Sequence, residues 1–403
     1  MLRALEALIA IQRVSLTAIG RAVRGRLQPR HGIKMMDRLL GNPRLQAERH
    51  VWFKALARRL VGDEVRVLIL LDWTQLHGEF WALVAAVPFE GRSVPILAEA
   101  HHESRLGSRD IQNEFISTLR RILPERCRPV IVADGGFRSP FFAACRRLGI
   151  DYVIRLRNDR ATARIGNAPR GVDGWSVPLY FKEIFEWARR TSRCLGLSLP
   201  FRSSAEAVLC RLVLGPAPAK MEKRSRYAKD YERKRACEPW LLATTLDNEP
   251  AEKIVAIYAT RMQVEECFRD TKNARLGWGL EFAKTRSPGR LNVLLLLVAI
   301  AFAAVILVGA TAASVGLEKK FRASSRKQRV LSHFSLGNLV VRSLLLASLR
   351  LSRVWKHIER IRRVSRRLFP PIRALGTEGE SVFRRLHHDE FCADCGWHCR
   401  AYG

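Results

Sequence analysis

Residues 258–272 read Tyr-Ala-Thr-Arg-Met-Gln-Val-Glu-Glu-Cys-Phe-Arg-Asp-Thr-Lys. The stretch contains neither Pro nor Gly and follows Asn248-Glu-Pro-Ala, a helix entry, so it reads as one helix. At ~100° per residue, Arg261, Glu265 and Lys272 fall within roughly 60° of Tyr258, and Glu266 falls roughly 80° to the other side. One face then carries a phenol, a guanidinium, a carboxylate and an ammonium. Such a face is ill suited to a core, where charges stay unburied unless paired. It suits phosphates held beside a metal ion. The bland alternative is a solvated charged face.

The spacing Tyr-x2-Arg-x3-Glu-x6-Lys resembles the signature around the last catalytic acid of DDE transposases of the IS4 family. The resemblance spans roughly residues 15–315. It implies an α/β fold with an RNase H-like catalytic core, an inserted β-containing subdomain, and helical, basic N-terminal and C-terminal regions. The boundaries expected on this reading are 1–62 for a helical DNA-binding region and 63–156 for the first part of the core. The insertion takes 157–239, the second part of the core with the Glu helix 240–315, and the basic C-terminal region 316–403.

Composition points the same way. Of 403 residues, 48% are hydrophobic, enough to fold, and 70 Lys and Arg face 38 Asp and Glu, a net +32. That excess points to nucleic acid or an anionic membrane rather than a small neutral substrate. It concentrates at the ends: residues 1–62 hold 13 basic against 3 acidic side chains, and residues 316–376 hold 16 against 2. The nine cysteines, mostly scattered singly, suit a reducing compartment, and the resemblance implies a cytoplasmic, bacterial nucleoid-associated protein. Leu291–Ala313 is apolar apart from Asn292 and Thr311 and is long enough to span a bilayer. With no second span and no aromatic belt it reads as a buried core helix, and no membrane partner is expected.

In chain order, residues 1–62 read as short helices: one capped by Ser15, a turn at Gln28-Pro-Arg-His-Gly, and a helix Ile33–Leu40 stopped at Gly41. This is either a helix-turn-helix-like DNA reader or a helical cap with a basic solvated face. Val65–Trp73 reads as a buried strand delivering Asp72 at its C-terminal end. Phe80–Val87 and Ser93–Glu99 complete an antiparallel meander. Ser108–Leu123 is an amphipathic helix, Arg128–Ala133 a strand ending at Asp134, Ser139–Leu148 a helix and Tyr152–Leu156 a strand. Ala205–Leu214 is a strand within the insertion, and Lys220–Arg235 is a charge run with Tyr227 and Tyr231. It is either a solvated loop or a surface that tracks a nucleic-acid strand. From Lys319 on, the chain is helical and basic, with an apolar stripe Val354, Ile358, Ile361, Val364 expected to contact DNA or another protomer.

The resemblance implies that Asp72, Asp134 and Glu265 are catalytic and hold two Mg²⁺ or Mn²⁺ ions. Three carboxylates suit these oxygen-preferring cations, and two metals suit phosphodiester chemistry. It implies that Tyr258, Arg261 and Lys272 contact DNA phosphates and that Trp240 stacks on a base, where a core Trp is the bland alternative. The partners implied are double-stranded DNA with terminal inverted repeats, target DNA, and a second copy in a synaptic homodimer. The reaction implied is strand cleavage and transfer at insertion-sequence ends. The alternatives are an RNase H-like nuclease without strand transfer, an inactive DNA-binding relative, and a basic membrane protein. Two features depart from the pattern. Gly135 follows the second Asp where relatives often carry Arg or Ala. The tail with Cys392, Cys395, His398 and Cys399 resembles a short zinc knuckle with no second ligand pair at the usual distance.

Overall fold

Proline and capping side chains start three of the four N-terminal helices. A computed structural model describes residues 1–23, 28–157, 161–166, 174–201, 208–217, 238–321, 330–343, 357–369, 390–392 and 397–399. Helices α1 (Leu2–Ile11), α2 (Leu16–Ala22), α3 (Pro29–Leu40) and α4 (Pro43–Val61) come first. The Ser15 hydroxyl accepts from the Ala18 amide and the Asn42 side chain from the Leu45 amide. The turn expected at Gln28-Pro-Arg-His-Gly is instead the opening of α3: Pro29 and Pro43 occupy first helical positions, where the missing N–H costs nothing. Gly20 and Gly32 let α2 and α3 touch. A Cβ on Gly32 would lie 2.0 Å from the Gly20 carbonyl oxygen.

Strands β1 (Arg66–His77), β2 (Phe80–Phe89) and β3 (Arg92–His102) form the expected antiparallel meander, followed by α5 (Arg109–Ile122). Asp72 does not end its strand. The pairing of β1 with β2 continues through Thr74↔Ala82 and Gln75↔Trp81, and Thr74 and Leu76 are buried on the side Asp72 faces. The carboxylate therefore projects from the middle of β1. Ser108 stands at the N-cap of α5 but makes no side-chain capping bond.

The chain continues with β4 (Arg128–Ala133), α6 (Ser139–Arg147), β5 (Asp151–Leu156), β6 (Thr162–Ile165), β7 (Leu179–Tyr180), α7 (Phe181–Phe185), β8 (Arg193–Pro200), β9 (Cys210–Leu214) and β10 (Leu241–Thr244). Then come α8 (Ala251–Ala259), α9 (Met262–Lys272), α10 (Pro288–Ser314), α11 (His333–Arg342), α12 (Ile358–Leu368), β11 (Glu390–Cys392) and β12 (Trp397–Cys399). The opening order β-β-β-α-β-α-β is the expected one. Lys220–Arg235, Val354 and Cys395 lie outside the described residues, as does most of 202–209, so only the Cys210–Leu214 part of the Ala205–Leu214 strand is seen as one.

Two compact units result, one of residues 1–128 with 260–367 and one of residues 129–259 with 368–403. The first contains the meander and most helices. The second contains a mixed sheet in the order β4-β5-β10-β9-β8-β6-β7, with β4 and β5 parallel and the other pairs antiparallel. Strands from the 157–239 stretch thus extend this sheet beyond β10.

Helix α10 runs 27 residues as the spine of the first unit, and 83% of its most apolar window is buried in the protein. It packs on β3, α4, α11 and α1. The two polar residues of its apolar stretch are satisfied inside: the Asn292 side-chain oxygen accepts from the Ala100 amide at 2.6 Å, and the Thr311 hydroxyl donates to the Leu307 carbonyl at 2.8 Å. This is a core helix. Gly309 and Gly337 allow α10 and α11 to cross closely, since a Cβ on Gly309 would lie 1.8 Å from the His333 carbonyl oxygen.

Part of the apolar stripe of α12 packs inside the chain. Ile358 and Ile361 are buried in the chain's own fold, and the Ser365 hydroxyl accepts from the Leu68 amide. Arg366 pairs with Glu64 and Arg360 with Glu90. In the tail, β11 and β12 pair antiparallel with Cys392 opposite Trp397 and His398 opposite Phe391.

Candidate active site

The stretch 258–272 is not one helix. It breaks at Thr260-Arg261, between α8 and α9, and a single 100° count does not run across the break. Tyr258 belongs to the second unit and the other three signature residues to the first. Within α9 the sequence geometry holds. Arg261 sits at the N-cap and Glu265 in the first turn, one turn on.

Arg261 gathers the acids of the first unit. Its Nη1 donates to Asp72 Oδ2 at 2.8 Å, and its Nη2 donates to Glu265 Oε1. The guanidinium is 8% exposed, so it is a buried cation held between two carboxylates. The neighbouring acid turns elsewhere: Glu266 pairs with Arg269 on its own helix and with Arg92 of β3, 3.3 Å away. The two adjacent glutamates are thus sorted, and only Glu265 joins Asp72. Asp72 Oδ1 also accepts from the Trp73 amide at 2.9 Å, which fixes the carboxylate plane. Lys272 donates to the Gln75 carbonyl at 3.0 Å. Burial pushes its ammonium pKa down, against the pull of Glu281 and Asp72.

In the second unit, Asp134 follows β4 directly. Arg157, just past the parallel neighbour β5, donates from Nη1 to Asp134 Oδ2 at 3.2 Å. Asp134 Oδ1 is buried with no hydrogen-bond partner among the described residues. Arg157 also explains Gly135: a Cβ there would come within 2.9 Å of the Arg157 stem. Tyr258 is 3% exposed, and its ring meets Trp240 edge-on with centroids 4.8 Å apart. The two aromatics expected to contact DNA are therefore engaged with each other. Sequence reading missed Arg157 and Arg92. The signal for Arg157 was its place one residue past a strand that runs parallel to the strand ending at Asp134.

Residues 82–303, more than half of the chain, match the family model described as "Transposase DDE domain". The chain belongs to this family. No curated protein matches it. The DDE-domain match includes Asp134, Arg261, Glu265 and Lys272 and starts ten residues after Asp72, which is tied to the site by its bond to Arg261. A DDE transposase acts on DNA and cleaves it, and members generally use divalent metals. The donor chemistry fits such ions: carboxylate oxygens suit hard cations, Asp72 and Glu265 already share one cationic group, and Asp134 offers an unsatisfied buried oxygen. Among the described residues, no three His, Cys, Asp or Glu side chains stand together as a ready metal cage.

Proposed function

We propose that this chain is a transposase of the IS4 type, with an RNase H-like core, that cuts one strand at each end of an insertion sequence and joins the freed end to target DNA. Asp72, Asp134 and Glu265 are the catalytic acids. The observation that carries this reading is the pairing of one buried guanidinium with Asp72 and Glu265 while Glu266 turns away. These acids would hold two Mg²⁺ or Mn²⁺ ions, which stabilise the charge on attacking and leaving oxygens in phosphodiester exchange.

The chain's own groups do the rest. Lys272 presents a point charge to the phosphates beside the scissile bond, while Arg261 holds Asp72 and Glu265 in place. Arg157 orients Asp134 through Oδ2 and leaves Oδ1 free to bind. Tyr258, braced by Trp240, is a further phosphate contact on this reading. Water attacks the phosphate at the element end and expels the 3′-hydroxyl, which then attacks a target phosphodiester and expels a target 3′-hydroxyl, so no protein nucleophile is needed. The substrates are terminal inverted repeats, held by two copies in a synaptic dimer, and target DNA.

The test uses DNA with the flanking repeats, Mg²⁺ or Mn²⁺, and the wild type beside Glu265→Gln and Glu266→Gln. Nicking at the repeat end by the wild type and Glu266→Gln, with Glu265→Gln binding but not cutting, is the expected result. Undiminished cutting by Glu265→Gln removes it from the catalytic set. Nicks without joined products favour the nuclease reading.

A further inference from the structure

Helix α9 carries Glu265 on one side and is held by the β2–β3 hairpin on another. Phe89 N–H donates to Gln263 Oε1 at 3.1 Å, and the Ser93 hydroxyl donates to the Gln263 carbonyl at 3.3 Å. Arg92, between them in the chain, donates from Nε to Asp270 Oδ2 at 2.5 Å and brings Nη1 within 3.3 Å of Glu266 Oε2. At ~100° per residue, Gln263, Glu266 and Asp270 fall within roughly 60° of one another, and Glu265 lies roughly 100–160° round the helix from them. Asp270 is 4% exposed, so its bond to Arg92 is a buried one. The hairpin is itself anchored, because Glu90 of its turn takes His333 and Arg360.

Two guanidiniums thus grip α9 from different sides. The Arg261 bond to Asp72 restrains the first turn of the helix, and the Arg92 bond to Asp270 restrains it about two turns on. Together they fix the rotation of α9 about its axis. A buried ion pair adds little net stability over apolar packing, but it is directional. With side chains a helix has a radius of about 5–6 Å, so a turn of about 20° would carry a carboxylate at its edge by roughly 2 Å. A misplacement of ~1 Å at a reacting centre can cost about a hundredfold in rate.

We propose that Arg92 is a positioning residue for the acids of the site: through Asp270, and beside the two Gln263 bonds, it sets the rotation of α9 that keeps Glu265 facing Asp72. It acts through the helix and not on the DNA. This rests on the reading of Asp72 and Glu265 as metal-holding acids, and the two can fail separately.

The experiment reads Mn²⁺ bound by the full chain on repeat-end DNA, from the electron paramagnetic resonance signal of the free ion, and the nicking rate against Mn²⁺ concentration. Glu265→Gln sets the baseline for lost binding. Arg92→Gln should raise both the Mn²⁺ dissociation constant and the half-saturating Mn²⁺ for nicking by roughly tenfold, with affinity for the DNA in EDTA unchanged. Arg92→Lys keeps the charge and should recover part of that loss. Gln263→Ala, a milder change that keeps the buried pair, should move both values the same way by less. Asn292→Ala removes a bond of the same unit that α9 does not share, and should lower the melting temperature without moving either value. A lower melting temperature in Arg92→Gln and Gln263→Ala with wild-type Mn²⁺ values overturns the proposal, and so does an equal Mn²⁺ shift in Asn292→Ala. Weaker Mn²⁺ binding by Arg92→Gln than by a wild type that never nicks keeps Arg92 in its role and sinks the cleavage reading. A wild type that binds no more Mn²⁺ than Glu265→Gln sinks the metal assignment and the proposal with it.

Discussion

At the scale of single residues, the site rests on one arginine. Arg261 is buried and neutralises two carboxylates that would otherwise repel, whereas Arg269 is half exposed and, among the described residues, pairs with Glu266. Removing one partner of a buried pair leaves uncompensated charge. Glu265 is 43% exposed, so water offsets part of that cost. Arg261→Gln should lower unfolding free energy by roughly 1–3 kcal/mol in urea titrations, and Arg269→Gln by less than about 0.5 kcal/mol. Equal effects would show that the Arg261 cluster is no more than a surface network. The pairing of Arg261 with Glu265 was legible as spacing on a helix, because i and i+4 share a face. The partner of Asp134 was not, since Arg157 reaches it only through the parallel pairing of β4 and β5.

At the scale of elements, the C-terminal helices are clamped to the tip of the β2–β3 hairpin. Glu90 and Gly91 form its turn with φ +45 and +85, and a glutamate is unusual in that left-handed region. Its carboxylate explains its presence: it takes His333 of α11 at 2.7 Å and Arg360 of α12 at 2.5 Å. The His333 hydrogen bond, followed by Arg360, holds the Glu90 carboxyl down at about 2, against burial. A depressed folded pKa stabilises above the unfolded value of 4.5, and that contribution is lost as pH falls through about 2. The stability gap between wild type and Glu90→Gln should thus be full above pH 5, about 1–2 kcal/mol after solvent screening, and should shrink as pH falls from about 4.5 toward 2. A gap that stays constant over that range would show that Glu90 acts only through the turn. Helix crossing gives a second measurement. Gly309→Ala forces a Cβ onto the His333 carbonyl and should cost roughly 2–4 kcal/mol or prevent folding, whereas Gly136→Ala meets open space and should be near neutral. Thermal denaturation of the two variants checks this. Of these elements, strands and helices were legible as periodicity. The break at Thr260-Arg261 was not, because nothing in the local residues stops a helix there.

At the scale of the whole molecule, net charge and the long apolar helix make opposite suggestions, and each has its measurement. A charge of +32 should make DNA binding steeply salt-dependent, with affinity for a random duplex falling about a thousandfold or more between roughly 50 and 200 mM salt. A shallow slope would mean that few of the cations meet phosphate. With α10 buried by its own chain, protein purified without detergent should stay in the supernatant on ultracentrifugation. Recovery with membranes would overturn the core-helix reading. Sequence alone determined the kind of protein. Apolar periodicity set the order of strands and helices, charge excess named a polyanion as the partner, and the signature spacing singled out Arg261, Glu265 and Lys272. These are properties of short windows, and short windows fix local geometry. Tertiary structure decided what depends on residues far apart in the chain. It ran β1 past Asp72 because β2 keeps pairing with it, and it enclosed α10 because Asn292 finds β3. It docked α12 on Glu64 and Glu90, and it told Glu265 from Glu266 by which cation each one meets. Such contacts gain their energy from desolvated pairing between distant segments, and no pattern of neighbours along the chain carries that information.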